Sequence, residues 1–211
     1  MDAADFIERL NGLALPVFSL KTASSILQKP PIYTSVYLHR LAKTGKIVML
    51  ERGRYYLAGT DEYTIASRII PNSYITGYAA LEHYRLTTQI TSKIQVVAAR
   101  YHRPIKLSSY TVEFSKVKRD FIYGYVGAAN GPVYAEPEKI FIDDLYLHGR
   151  QYYAEEFEYA LGNDKINIEK LKKYALMSGK KTILKQINEL VSNELHEEPR
   201  INKARQERLH A

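Results

Sequence analysis

The chain has 211 residues, 45% of them hydrophobic and 25% charged, and it contains no cysteine. This composition is that of a globular protein of one or two domains, and the missing thiols exclude disulfides, thiolate zinc sites and cysteine nucleophiles. Thirty Lys and Arg against 23 Asp and Glu give a net charge of +7, which favours a polyanionic partner. No apolar run approaches the ~20 residues that span a bilayer, and the start MDAADFIERLNGL lacks a basic leader region. We therefore expect a cytoplasmic protein without membrane contact.

Three helices are predicted near the start of the chain. Their apolar residues recur at helical spacing; Ser19 is a good N-cap for the second helix, and Gly45 lies just past the third. Consecutive prolines at 30 and 31 separate the second and third helices, because proline cannot continue a helix. The predicted helices span residues 2–12, 20–27 and 34–43, with an extended stretch over residues 15–18.

A hairpin is predicted directly after the third helix. Two β-prone runs, residues 46–51 and 54–57, flank the two-residue turn Arg52-Gly53. Helices followed by a hairpin in this order predict a winged helix-turn-helix domain over residues 1–59. The predicted fold class is therefore α+β, with this N-terminal domain followed by a mixed α/β domain over residues 60–211 that ends in helices.

The second domain mixes helical periods with short β-prone runs. One helix is well delimited, because Pro137 stands in its first turn, acids face its positive dipole end and Gly149 follows it. In the last helix an apolar stripe runs from Ile183 to Leu195, and a polar tail follows. The predicted helices span residues 62–70, 73–84, 137–148, 155–161, 168–177 and 180 to about 197, and the predicted strands span residues 94–98, 110–117, 121–126 and 133–135.

Positive charge is concentrated in the predicted winged helix. Between Lys21 and Tyr56 there are seven basic residues and a single acid, Glu51, so this stretch carries +6 of the chain's +7. Helices fit the major groove of B-DNA, and a basic hairpin turn can enter a minor groove or hold a phosphate backbone. The predicted DNA-binding residues are Lys21, Thr22, Ser35, His39, Arg40, Lys43, Lys46, Arg52 and Arg54.

These residues are predicted to have different roles. Leu38 and Leu41 should face inward, which leaves Ser35 and His39 on one outward face for base contact. Arg40, Lys43 and the helix start at Lys21 and Thr22 are placed for phosphate, and Arg52 and Arg54 for a minor groove or backbone. Two other interpretations stay open: a basic surface can be merely solvated, and winged helices also serve as protein-interaction modules.

The sequence predicts no enzyme, no catalytic residue, no cofactor and no metal site. Glu136, Glu138, Asp143 and Asp144 form an acidic cluster that could bind Mg²⁺, but helix N-terminal acids and a solvated face explain it better. The six histidines show no paired metal-ligand spacing, and the chain contains neither a glycine-rich phosphate loop nor a nucleophile elbow.

Four stretches in this order resemble the AbiEi-type antitoxin family of abortive-infection toxin–antitoxin operons. They are FSLKTASSIL, YLHRLAKTGKIVMLERGRYYL, EYTIASRIIPNSYITGYAALEHYRLTTQI and AEPEKIFIDDLYL. The resemblance covers roughly residues 16–150, and its distinctive parts are PNSYITGYAALEHYRLT and AEPEKIFIDDLYL. It implies an N-terminal winged helix that binds inverted repeats in its own promoter, and a C-terminal domain that neutralises a nucleotidyltransferase-like toxin, with or without a stable complex.

We therefore expect a repressor and antitoxin, with two copies on one inverted repeat of double-stranded DNA. An alternative is an orphan winged-helix regulator whose C-terminal domain senses a ligand or a protein. A nucleotidyltransferase-type gene next to this one favours the antitoxin, and its absence favours the regulator.

Overall fold

The computed structural model describes residues 1–192, and it shows an α+β protein with a mixed sheet. The predicted end of the last helix near residue 197, with Leu195 and the polar tail, lies outside the described residues. In chain order the elements are α1 (Ala3–Gly12), β1 (Val17–Ser19), α2 (Leu20–Leu27), α3 (Pro31–Lys43), β2 (Ile47–Glu51), β3 (Arg54–Leu57), α4 (Glu62–Arg68), β4 (Tyr74–Thr76), α5 (Gly77–His83), β5 (Lys93–Ala98), β6 (Ile105–Lys106), β7 (Thr111–Lys116), β8 (Tyr125–Gly127), β9 (Val133–Ala135), α6 (Pro137–His148), α7 (Ala154–Gly162), α8 (Ile168–Met177) and α9 (residues 181–192).

The chain divides into two compact units that each draw on several stretches of sequence. The first comprises Met1–Ile75, Ser92–Lys116 and Val126–Tyr134. The second comprises Thr76–Thr91, Val117–Tyr125 and the residues from Ala135 onward. The boundary between residues 59 and 60 stays a prediction, because compactness alone does not test which part folds independently.

Residues 1–60, here called the N-terminal segment, have a small hydrophobic core of their own. Phe6 of α1 meets Phe18 of β1 edge to face at 5.9 Å between ring centroids, and Phe18 stacks on Tyr55 of β3 at the same distance. Leu38 and Leu41 of α3 are buried in this cluster, as their spacing predicted. This core holds α2 and α3 against a three-stranded sheet of order β1-β3-β2.

The predicted hairpin is present and is formed by β2 and β3. β3 lies between β2 and β1, and both of these strands run antiparallel to it. Val48 of β2 pairs with Tyr56 of β3, and Val17 of β1 pairs with the same Tyr56 from the other side. The register of β2 shifts between Met49 and Glu51, which marks a β-bulge just before the turn. The hairpin is therefore joined to the chain before α2 as well as to the chain after α3.

The third helix begins earlier than the sequence predicted. α3 starts at Pro31 and not at Thr34, since proline is favoured in the first helical turn, where its missing N–H costs nothing. Ile32 and Tyr33 consequently belong to α3, and both are exposed.

A mixed six-stranded sheet of order β6-β7-β5-β4-β9-β8 forms the larger sheet of the chain. β5 and β7 run parallel over six residue pairs from Lys93–Thr111 to Ala98–Lys116, and β6 is antiparallel to β7. β4 and β9 are also parallel. Ile94, Val96 and Val97 of β5 are fully buried, as expected of a strand inside a sheet.

The predicted helix over residues 73–84 is wrong in its first part. Tyr74–Thr76 form the buried strand β4, whose Ile75 pairs with Tyr134, and the helix begins only at Gly77. Ile75 and Thr76 are β-branched, and Gly77 has a left-handed backbone with φ of +66° that separates strand from helix.

The predicted strand over residues 121–126 is also largely wrong. Residues Arg119–Phe121 form a 3₁₀ turn, and only the short β8 (Tyr125–Gly127) follows. Phe121 points into the second unit, where its ring stacks on Tyr146 of α6 at 3.8 Å between centroids. Its burial therefore comes from contact with a helix and not from a place in the sheet. The two-residue strand β6 gave no signal in the sequence.

The second unit is built around α6, which packs against α5 and α8. Ile140 and Ile142 of α6 are fully buried, and Phe141 meets Phe157 of α7 edge to face at 5.1 Å. In α9, the apolar stripe is confirmed as far as residue 191: Ile183, Ile187 and Val191 are buried. Across residues 1–192, no helix has the length and apolar character that crossing a bilayer requires.

Candidate nucleic-acid interface

α3 presents a polar and basic face outward from the core of the N-terminal segment. Thr34, Leu38 and Leu41 are buried, and the Thr34 hydroxyl donates to the carbonyl of Pro30 at 3.1 Å. The other side of the helix is exposed, because residues three and four apart share a face. The exposed residues on that side are Ser35, Val36, His39, Arg40 and Lys43.

The start of α2 is fixed by its predicted cap. The Ser19 hydroxyl accepts the backbone N–H of Thr22 at 3.0 Å, which satisfies one of the free donors at the helix start. The Thr22 hydroxyl lies 2.8 Å from the Ser19 hydroxyl. Thr22 is thus half-buried and engaged in the cap, whereas Lys21 is exposed. Of the two residues predicted to contact DNA here, Lys21 is the one whose side chain is exposed to solvent.

The hairpin turn lies against the first turn of α2. The backbone N–H of Leu20 donates to the carbonyl of Gly53 at 2.8 Å, and Ser19 pairs with Arg54 in the register of β1 and β3. The turn residue Arg52 is exposed. The fold therefore brings the hairpin turn and the start of α2 into one region, although Leu20 and Gly53 are 33 residues apart in sequence.

Glu51 distinguishes the two arginines of the hairpin. Arg54 Nε lies 3.1 Å from Glu51 Oε1, and the Arg54 side chain is 28% exposed. To reach a phosphate, Arg54 would have to exchange this carboxylate for the new anion. Arg52 is exposed to solvent and is the better placed of the two for a new contact.

Lys46 lies at the opposite end of the hairpin from the turn. Its carbonyl accepts the N–H of Ala58 at 3.1 Å, one step beyond the last strand pair, Ile47 with Leu57. Lys46 is exposed, but the fold does not bring it to the turn that carries Arg52.

Two exposed apolar side chains on α3 were missed by the sequence prediction. Ile32 is 83% exposed and Tyr33 is 55% exposed, in the first turn of the helix. Val36 lies four residues after Ile32 and is half exposed. A helix predicted from Pro31 and not from Thr34 would have placed Ile32 on the same outward side.

A second loop contacts the hairpin through Glu51. His102 Nε2 lies 3.1 Å from Glu51 Oε1, and an Arg103 guanidinium nitrogen lies 3.9 Å from Glu51 Oε2. His102 Nδ1 is 2.7 Å from the carbonyl of Arg103. The His102 ring thus lies between the hairpin carboxylate and the backbone of its own loop. No local sequence pattern predicts the contact between Glu51 and His102, because the two residues are 51 positions apart.

The acidic residues of α6 are not the solvated face that the sequence predicted. Glu138, Asp143 and Asp144 are at most 5% exposed. Burial of a carboxylate is tolerated only where cations or N–H groups compensate for the removal of water. Each of the three has such partners in the second unit, and none is presented to solvent as a surface charge.

Lys170 of α8 compensates two of these acids. Its Nζ lies 2.8 Å from Glu136 and 3.2 Å from Glu138, and the Tyr174 hydroxyl also donates to Glu136. Burial alone would raise the pKa of Glu136, but the hydrogen bonds from Lys170 and Tyr174 hold that pKa below its ordinary value. Burial and Glu136 together raise the pKa of Tyr174 to about 12. The network links the start of α6 to α8 and is structural.

Asp143 pairs with Lys139 one turn earlier on α6, and both are buried. The Lys139 ammonium also lies over the rings of Phe121 at 3.7 Å and Tyr123 at 4.7 Å. Burial lowers the pKa of Lys139, and Asp143 opposes that shift. The pair is enclosed by aromatic rings, so it offers no site for an external ligand.

Asp144 closes the C-terminal end of α6. Its carboxylate accepts the backbone N–H groups of Tyr152 at 2.7 Å and Tyr153 at 3.1 Å, and it lies 2.7 Å from His148 Nδ1. This buried acid thus fixes the loop between α6 and α7. In residues 1–192, no group of three or more His, Asp or Glu side chains is arranged to hold a metal ion.

Neither the known protein families nor the curated proteins include a match to this chain.

Proposed function

We propose that this protein is a winged-helix transcriptional repressor that binds the promoter of its own operon and acts as an AbiEi-type antitoxin. The observation that carries the DNA-binding half is the exposed basic side of α3, flanked by the hairpin turn and the start of α2. It is not an enzyme in this proposal, and the antitoxin activity belongs to the second half of the chain.

The order of elements supports a winged helix-turn-helix. α1, β1, α2, α3 and the β2–β3 hairpin follow one another, and the sheet order β1-β3-β2 joins the hairpin to the strand before α2. In this arrangement α3 is the recognition helix that enters the major groove, and the hairpin is the wing.

The placement of charge supports DNA as the partner. Arg40 and Lys43 on α3, Lys21 at the start of α2 and Arg52 in the turn are all exposed, while Leu38 and Leu41 hold the helix from behind. Phosphate contacts from such residues supply most of the sequence-independent affinity for DNA. Ser35 and His39 on the same face are positioned to meet base edges.

The antitoxin half is supported by the resemblance of residues 16–150, which includes PNSYITGYAALEHYRLT and AEPEKIFIDDLYL. Three of the acids within AEPEKIFIDDLYL are buried: Glu138 is paired with Lys170, Asp143 with Lys139 and Asp144 with His148. These motif residues therefore support the fold of the second unit, and the surface that acts on a toxin has to be sought among other residues. The expected target is a nucleotidyltransferase-like toxin encoded next to this gene.

The DNA-binding half is tested on the duplex directly upstream of the protein's own gene. We expect tight, salt-dependent binding that is lost in the triple variant Arg40→Ala/Lys43→Ala/Arg52→Ala, because three phosphate contacts account for a log–log salt slope of ~2.7. Fluorescence anisotropy at several salt concentrations measures both affinity and slope.

The matched control removes equal charge elsewhere, in Arg150→Ala/Lys172→Ala/Lys173→Ala, whose wild-type residues are all exposed. This variant should bind like the wild type. Wild-type-like binding by the Arg40/Lys43/Arg52 variant would contradict the assignment of the interface.

The antitoxin half is tested by co-expression with the neighbouring gene. We expect that gene to arrest growth and this protein to relieve the arrest. Growth arrest that persists in the presence of this protein would remove the antitoxin from the proposal and leave a DNA-binding regulator.

One observation favours the second candidate, a regulator that senses a ligand. A cleft of about 320 Å³ in the second unit is lined by Thr87, Glu156 and Tyr159 among others, and the buried Glu156 accepts the Thr87 hydroxyl at 3.1 Å. This volume is in the range of small-molecule sites. A small molecule that raises the unfolding temperature of the wild type but not of Glu156→Gln would favour this candidate.

A further inference from the structure

We propose that residues 99–104, here called the basic loop, form a second DNA contact beside the hairpin turn. The loop connects β5 to β6 and lies outside the N-terminal segment. Resting on the DNA-binding function proposed above, it extends the interface beyond the winged helix. The observation behind it is the attachment of this loop to Glu51, the residue that precedes Arg52.

The basic loop is anchored at both of its sides. On one side His102 contacts Glu51 of the hairpin at 3.1 Å. On the other, the His102 ring packs on Phe114 of β7 with 4.8 Å between ring centroids. The loop and the hairpin belong to the same compact unit. The position of the loop relative to the turn is therefore fixed by side chains and does not depend on a flexible connection.

The side chains around this anchor are exposed to solvent. Arg103 is 76% exposed even though one of its nitrogens is 3.9 Å from Glu51. Tyr101 is 75% exposed, and Arg100 is exposed as well. The loop contains no acid, and Lys106 follows it. An anchored loop with two exposed arginines around an exposed tyrosine offers charge and a ring surface together.

DNA is the partner that this chemistry fits best. Arginine guanidinium groups bind phosphate oxygens, and the loop that carries these two is held through His102 to Glu51, the residue before Arg52. The Glu51 carboxylate faces Arg54 and His102, and the loop itself brings two arginines and no acid. The basic loop should therefore contact phosphates on the outer side of the groove that the hairpin turn approaches.

The test is the salt dependence of binding in the full-length double variant Arg100→Ala/Arg103→Ala. Two duplexes are used: the DNA upstream of the protein's own gene, and an unrelated duplex of equal length. Binding to the unrelated duplex measures the contribution of phosphate contacts to affinity, because that contribution does not depend on base sequence. Removing two phosphate contacts should lower the log–log salt slope by ~1.8 on both duplexes.

Two further variants separate charge from shape. Arg100→Lys/Arg103→Lys keeps the charge and should restore most of the slope. Lys172→Ala/Lys173→Ala removes the same charge from an exposed site on α8 and should leave the slope unchanged. Hydroxyl-radical footprinting should show backbone protection at the edge of the site that is absent with the double alanine variant. Unfolding midpoints equal to that of the wild type show that the variants are folded.

The outcomes distinguish this inference from the proposed function. If the wild type binds DNA and the double alanine variant keeps both the slope and the footprint, the basic-loop contact is wrong and the winged-helix interface stands. If the wild type binds the unrelated duplex as tightly as the upstream duplex, the repressor function fails, while the slopes still decide whether the loop binds phosphate. Binding to neither duplex overturns both.

Discussion

Gly124 and Gly149 have the same left-handed backbone in different surroundings, with φ of +65° and +72°. A Cβ at position 149 would meet nothing within 4 Å. At position 124 it would lie 2.8 Å from a ring carbon of Tyr174 and 3.2 Å from Cβ of Lys139. The Tyr174 ring cannot easily move away, because its hydroxyl donates to Glu136.

We therefore expect Gly149→Ala to lower the free energy of unfolding by only ~1–2 kcal/mol, the cost of a left-handed alanine. Gly124→Ala should cost a further ~1–3 kcal/mol, as in other overpacked sites. Urea unfolding of the two variants measures the difference. Equal losses would show that the ring moves aside and that the packing at Gly124 is not tight.

Ile32 is the most exposed of the large apolar residues on α3, and it lies on the side of the helix that carries Val36. In the major groove, an apolar side chain can pack on the 5-methyl group of thymine. We expect Ile32→Ala to weaken binding to the upstream duplex. Each side-chain carbon that no longer packs on the DNA should reduce affinity roughly fourfold, because burying one such carbon contributes ~0.8 kcal/mol. Replacing thymine by uracil in the duplex should weaken wild-type binding similarly.

The two changes together decide the point. If Ile32 packs on a thymine methyl, Ile32→Ala should bind the thymine and uracil duplexes almost equally. Leu176→Ala, which changes an exposed leucine of α8, is the control and should leave DNA binding unchanged. Independent, additive losses of affinity from the protein and DNA changes would place Ile32 away from thymine methyls.

At the scale of elements, α6 and α8 are joined by an ionic link whose strength depends on pH. The hydrogen bonds from Lys170 and Tyr174 hold the pKa of Glu136 below its ordinary value of 4.5, although burial opposes this. A carboxyl with a lowered folded pKa stabilises the fold above its unfolded pKa. That stabilisation is lost as the pH falls through the folded pKa.

We expect Glu136→Gln to lower the free energy of unfolding at pH 7 by ~1–2 kcal/mol, the scale of hydrogen bonds to a charged group. The difference from the wild type should shrink as the pH falls below 4.5. Urea unfolding between pH 3 and pH 7 checks this, with the exposed Glu158→Gln as control. A difference that stays constant over this range would show that Glu136 contributes no charge-dependent stability.

Elements with their own start and stop signals could be predicted from the sequence. α8 has the predicted bounds, α2 begins after its predicted cap at Ser19, and Pro137 and Gly149 delimit α6. The wrong predictions lie in segments whose secondary structure is determined by tertiary contacts. Tyr74–Thr76 became a central strand because it lies between β5 and β9, and the sequence does not reveal those neighbours.

At the scale of the whole molecule, the N-terminal segment has its own core but shares a compact unit with part of the sheet. Glu51 contacts His102, and Asn130 donates to the carbonyl of Asn11 at 3.2 Å. Deleting residues 1–59 would therefore remove one part of a packed unit. Point variants on the exposed side of α3 separate the two proposed functions more cleanly.

We expect Arg40→Ala/Lys43→Ala/Arg52→Ala to lose repression of the upstream promoter and still relieve growth arrest by the neighbouring gene. The three side chains are exposed, so the unfolding midpoint should match that of the wild type. A promoter–reporter assay and a growth assay measure the two functions in parallel. Loss of growth rescue together with repression would show that the antitoxin effect needs DNA binding or the same surface.

The candidate interface could be predicted only in part. The local charge excess and the helical spacing identified Lys21, Arg40, Lys43 and Arg52, all of which are exposed. The sequence did not reveal that Glu51 holds Arg54, nor that the basic loop reaches the same carboxylate. Such contacts depend on how distant strands are brought together, and no periodicity encodes them.

If the protein is the repressor proposed above, the hydrogen bond from Leu20 to Gly53 constrains how its DNA site can change. This hydrogen bond fixes the distance between the hairpin turn and the start of α2, because β3 is paired with a strand on both of its sides. A hairpin lengthened by two residues would lose the hydrogen bond between Leu20 and Gly53. Mutations that adapt the protein to a new promoter should therefore change side chains on α3 and preserve the length of the hairpin. Related proteins should then share the spacing of their contacts along DNA and differ in the base sequence that they prefer.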